Sequence, residues 1–226
     1  MTHNILNMDP IALMLKILAA SACLLVLAGI LAPILWYKRK KDLARIAAEA
    51  GAVFTKAGPD LEGLGKTGIG YFGLVTKTSN QIAFGDWGGA AARYFDGFYS
   101  TGSGKYSTRY DFTMALFEYK TGELPQFSLQ PSEFFARLDE LLGAKHVKLE
   151  NAPGFSKKYQ LDGADERALR DFFNSDIVAK LEEAGPLHIL ARGRYLAIYR
   201  GRALLPAGAY PQFIAYTKEL ALLMSR

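Results

Sequence analysis

Phosphate chemistry is the first possibility raised by the residue types, because GLGKT at Gly63–Thr67 combines glycine backbone amides with a lysine ammonium. A phosphate loop also needs a glycine five residues before Gly65, where the chain has Asp60, and a helix start where GIGYFG follows. Nucleotide binding is therefore not expected. GSGK at Gly102–Lys105 joins two expected strands, where glycines serve turn geometry. His3, His146 and His188 stand far apart with no HxxxH or HExxH spacing, and Cys23 is the only thiol, so neither a zinc site nor a disulfide is expected. Asp86, Asp96, Asp111 and Glu118 lie in or beside expected strands. Any two of them facing one cleft could act as general acid and base, whereas solvated strand faces are the commoner use of such residues. No catalytic residue, cofactor or metal ligand is assigned.

A second chemistry is recognition by aromatic and cationic side chains. Tyr94, Phe95, Phe98, Tyr99, Tyr106 and Tyr110 are flanked by Arg93 and Arg109. Tyrosine and arginine dominate interface hot spots, and the same rings also fill sheet faces across neighbouring strands. Arg93, Tyr99 and Tyr106 are the candidate partner-binding residues.

The elements that position these groups begin with an apolar segment. Ile17 to Tyr37 is 21 residues without a charge, about 31 Å of helix against a hydrocarbon core of ~30 Å. A cleaved signal peptide would be shorter and end in a small-residue site; here Trp36 and Tyr37 are followed by Lys38, Arg39, Lys40 and Lys41, the pattern of a helix anchored at a membrane interface. Residues 1–10 carry no Lys or Arg, so the positive side, with the large domain, is expected in the cytoplasm. Lys16 is the dissenting charge, and its long stem can reach the outer interface. The basic cluster is read first as a stop-transfer signal, with recognition of anionic lipid as the other reading.

The expected organisation is a short extracytoplasmic N-terminus at 1–10, a transmembrane helix at 11–37, a basic juxtamembrane helix at 38–51 and one α+β domain at 52–226, in a bacterial inner membrane. Most of the net charge of +5 belongs to the anchor: of 27 Lys and Arg, 22 remain from Asp42 onward, against 21 acidic residues. That balance excludes a basic nucleic-acid surface and leaves the lipid bilayer and another protein as partners.

Beyond the cluster, DLARIAAEA continues as helix to Gly51, and residues 58–73 show no lasting period and read mostly as loop. Strands are expected at Gln81–Gly85, Arg93–Tyr99 and RYDFTMALFEY, with a hairpin at STGSGKYST. Pro131 fits the first turn of a helix whose Phe134, Phe135, Leu138, Leu141 and Leu142 share one face. Strands at His146–Glu150 and Lys158–Leu161 flank a turn at Pro153 and Gly154. Asp162 then caps a helical region that Asn174 and Ser175 divide. A hairpin around Arg192 and Gly193 and an amphipathic helix from PQFIAYTKELALLM close the chain. The fold class is α+β: one N-terminal transmembrane helix, then a mainly antiparallel sheet packed with amphipathic helices.

FDGFYSTGSGKYST, ELPQFSLQPSEFF, APGFSKKYQLDGADERALRDFF and YLAIYR, in this order over residues 80–226, resemble a family of uncharacterised bacterial proteins with one N-terminal membrane helix. The resemblance implies a cytoplasmic α+β domain and brings no reaction, cofactor or ligand. The chain departs from that pattern at Gly97, where the family has tyrosine. Two functions follow as expectations: a noncatalytic, membrane-anchored interaction or scaffolding module, or a membrane-bound enzyme such as a hydrolase with dispersed site residues.

Overall fold

The computed structural model describes residues 10–132, 145–149, 151–183, 185–201 and 203–225. They fall into two units, one reaching Asp42 and the other starting at Leu43. Helix α1 (Pro10–Glu49) supplies the first unit, and its apolar window has a mean hydropathy of 2.5 with none of it buried. This helix is long and apolar enough to cross a membrane. Pro33 lies inside it.

The second unit opens with the last turns of α1, where Leu43, Ile46 and Ala47 enter the hydrophobic core. Gly51 follows with φ of +68°, a left-handed conformation that glycine adopts without strain and that suits a helix stop. Nine strands then form one antiparallel sheet: β1 (Val53–Ala57), β2 (Val75–Phe84), β3 (Ala90–Thr101), β4 (Thr108–Tyr119), β5 (Leu124–Pro131), β6 (Lys145–Val147), β7 (Tyr159–Gly163), β8 (His188–Gly193) and β9 (Tyr195–Tyr199). Their spatial order is β1-β2-β3-β4-β9-β8-β5-β7-β6. The α+β architecture expected from the sequence is the one observed.

Helices α3 (Pro153–Lys158), α4 (Glu166–Phe172), α5 (Ser175–Glu183) and α6 (Tyr210–Met224) share the larger core with one sheet face. Phe155, Leu169, Ile177, Leu181, Phe213 and Leu220 pack there with Tyr94, Phe117 and Ile198. On the other face, α2 (Leu61–Lys66) and a 3-10 turn at Gly70–Leu74 bring Leu64, Ile69 and Phe72 onto Phe95, Phe112, Met114 and Leu116. Strand β4 is consequently buried without interruption from Phe112 to Phe117. A strand covered on both faces loses the polar alternation that marks a half-exposed one.

Gly97 sits where this second core is tightest. A Cβ there would lie 2.5 Å from Cζ of Phe112, its cross-strand neighbour, so the phenylalanine ring occupies the space above the glycine.

Several expectations need correction. Residues 58–73 hold α2 and the 3-10 turn: Asp60 caps α2 by accepting from the amide of Gly63 at 2.6 Å, and six residues are too few to display a helical period. Pro153 and Gly154 begin α3 rather than a turn, with proline in the first helical turn, where a missing N–H costs nothing. The cap of α4 is Asp165, which accepts from the amide of Ala168 at 2.9 Å; Asp162 lies in β7. Pro131 ends β5 opposite Tyr159, and the rest of the helix expected there, with Phe134, Leu138 and Leu141, lies outside the described residues. The break at Asn174 is real: its side-chain oxygen accepts from the amides of Asp176 and Ile177, both at 3.1 Å, and starts α5.

Candidate functional site

The end of the apolar segment presents aromatic and cationic groups together. Trp36 is 54% and Tyr37 71% exposed, unlike the buried rings of the sheet. Lys40 Nζ lies 3.0 Å from the centroid of the Trp36 ring, a cation–π contact one helical turn long. Lys38 and Lys41 are exposed, and Arg39 is half-buried.

The three candidate partner-binding residues are not brought to one spot. Arg93 pairs across to Leu116 and reaches Glu118 at 3.5 Å, whereas Tyr99 lies six residues further along β3, about 20 Å at ~3.4 Å per residue. Tyr99 is half-buried, stacked on Tyr110 at 5.2 Å and edge-on to Tyr71 at 5.6 Å. Tyr106 stands at the hairpin tip, 80% exposed. The aromatic group therefore divides into packed rings and one projecting ring.

The four carboxylates are dispersed as well. Asp86 bonds to Lys120 and to the amide of Gly89, and the Lys120 hydrogen bond holds its carboxyl below the usual carboxylate range. Glu118 accepts from Arg194, and Asp111 accepts from Arg109 Nε at 3.0 Å. The Arg109 guanidinium also lies 3.8 Å from the Phe98 ring centroid. Strand alternation places Glu118 with Phe112 and Met114 on one sheet face, and Asp96, opposite Thr113, on the other.

Asp96 is 2% exposed and is the centre of a buried polar network. It accepts hydrogen bonds from Asn80 Nδ2 at 3.0 Å, Thr113 Oγ1 at 2.7 Å and the Tyr210 hydroxyl at 2.9 Å. Thr113 Oγ1 in turn accepts from the amide of Leu205 at 2.9 Å. Asn80 adopts φ of +53° within the register shift of β2 between Ser79 and Ile82, a conformation asparagine tolerates better than most residues, and its Oδ1 has no hydrogen-bond partner. Three donors converging on a carboxylate fix it in place, so this arrangement braces β2, β3, β4 and α6 against one another. Sequence reasoning missed Asn80, Thr113 and Tyr210 in this role; a threonine inside the otherwise apolar FTMALF was the available signal. Thr113 also borders a cleft of about 190 Å³ lined by Arg200, Leu204, Leu205 and Phe213.

The histidines take separate places. His146 Nδ1 is 3.5 Å from Asp162 on neighbouring β7, His188 stacks on Tyr199 at 4.6 Å across β8 and β9, and His3 lies outside the described residues. Among the described residues no group of three or more His, Cys, Asp or Glu could hold a metal ion. The GLGK residues lie inside α2, where Lys66 pairs with Glu62 at 2.8 Å.

Among the described residues, these features define an α+β protein with a nine-stranded antiparallel sheet and one N-terminal helix of membrane-crossing length. A solved structure, that of the mycobacterial trehalose monomycolate transport factor A, TtfA, is similar with a TM-score of 0.57 and 11% sequence identity, over 82% of this chain and 96% of that chain. At that identity the likeness is one of fold. No family model and no curated protein matches the chain.

Proposed function

We propose that this chain is a single-pass protein of the bacterial inner membrane whose α+β domain faces the cytoplasm and acts as a noncatalytic interaction module. The observation that carries this reading is α1: its apolar segment is exposed throughout, it ends in two interfacial aromatics and four cations, and cations concentrate on the cytoplasmic side of membrane helices. In this reading residues 1–10 lie outside, 11–37 span, 38–51 form the basic juxtamembrane helix and 52–226 form the domain. The dispersal of Asp86, Asp96, Asp111 and Glu118, each engaged by neighbouring donors, favours binding over acid–base chemistry. The similar fold of a protein described as a transport factor fits a domain that works through other molecules at a membrane.

Partner contact is assigned to the β3–β4 hairpin, with Tyr106 as its projecting ring and Arg93 and Tyr99 as further candidates. A photo-crosslinker placed beside Tyr106 in cells should capture a defined protein, and Tyr106→Ala should abolish that capture while leaving the melting temperature unchanged. Turnover of a metabolite by the purified full-length chain would overturn the noncatalytic reading.

A further inference from the structure

We propose that Trp36–Lys41 is a binding site for anionic phospholipid headgroups, an inference that rests on α1 spanning the bilayer and adds a lipid class to it. Four consecutive cations follow a run of 21 uncharged residues, and Asp42 is the first acidic residue after them. Lys38 and Lys41 are both exposed, and among the described residues no carboxylate pairs with either. Arg45, by contrast, is held by Glu49 at 3.0 Å. Residues three apart on a helix are neighbours, so Lys38 and Lys41 offer two ammonium groups to one phosphate layer. The Trp36 indole, fixed against Lys40 at 3.0 Å, marks the same depth, since tryptophan settles at the headgroup level.

A stop-transfer signal needs only the sign of these charges and predicts no lipid preference. A headgroup site predicts enrichment of anionic over zwitterionic lipid. At the strength of one cation near an anionic leaflet, the preference is roughly fivefold per lysine, and it weakens as salt screens the charges.

Trp36 itself can report this. Trp87→Phe leaves Trp36 as the remaining one of the two tryptophans, and Phe preserves a ring against Phe84, on which Trp87 stacks at 4.3 Å. The full chain carrying this change is reconstituted into vesicles containing brominated phosphatidylglycerol or brominated phosphatidylcholine, and quenching of Trp36 fluorescence gives the relative binding of the two lipids. The expected result is a severalfold preference for phosphatidylglycerol that falls toward unity at high salt and in Lys38→Gln/Lys41→Gln. Excess free glycerol phosphate should leave the preference unchanged, because the bilayer headgroup is the ligand; its loss would assign the site to soluble phosphates instead and overturn the proposal. Equal quenching by the two lipids, or a preference indifferent to the double substitution, would overturn it while leaving the span intact. Absence of quenching by either lipid would remove the span reading as well.

Discussion

Asp96 and Gly97 are adjacent in β3 and face opposite cores, so each isolates one physical term. Replacing Asp96 with Ala leaves the Asn80, Thr113 and Tyr210 donors without their acceptor in a buried space. At about 1–3 kcal/mol per unsatisfied buried group, the loss should reach at least ~3 kcal/mol in chemical denaturation. Gly97→Ala instead drives a methyl into the Phe112 ring and should cost about 1–3 kcal/mol by overpacking. A smaller ring-side neighbour, Phe112→Leu, should make that alanine less harmful, and a double-mutant cycle would measure the coupling. The tyrosines add a pH dependence. Burial pushes the Tyr159 phenol up to about 12 from its ordinary 10.0, and Tyr94, Tyr119 and Tyr216 are raised for the same reason. The folded chain thus keeps protons that the unfolded chain releases near pH 10. Stability fully present below pH 10 should fall as pH rises from about 10 to 12, and Tyr159→Phe should flatten part of that loss in melting curves.

At the scale of elements, the caps set where helices start. Asn174→Ala removes the acceptor for two amides of α5 and should lower stability by about 1 kcal/mol. The hairpin offers a contrast along one strand pair: Tyr99→Ala should lower the melting temperature because its ring packs on Tyr71 and Tyr110, whereas Tyr106→Ala should not. Long, strongly patterned elements were legible in the sequence. The apolar run has enough uncharged length, and the strands around the hairpin, the β8–β9 pair and the closing helix enough patterned residues, to define them. What escaped was short. β1 has five residues with one half-buried position, and α2 has six. The Asp96 network escaped for another reason: Asn80, Thr113 and Tyr210 are up to 130 residues apart and meet only through strand register and the docking of α6.

For the whole molecule, the charge asymmetry around the apolar helix gives a direct topological test. A phosphatase active only outside the cytoplasm, fused after Arg226, should be silent, and a cytoplasmic fluorescent reporter at the same place should be bright. The way α1 ends has a practical corollary for anyone wishing to excise the domain. A boundary drawn after Gly51, where the helix stops, would discard Leu43 and Ile46, whose side chains are 0% and 5% exposed in the core. Removing a large buried aliphatic side chain typically costs about 2–5 kcal/mol, comparable with a domain's whole margin of stability. A fragment of residues 42–226 should melt cooperatively in solution, while one of residues 52–226 should aggregate or melt many degrees lower. The useful scissile point therefore lies inside the helix, more than two turns before its geometry would suggest.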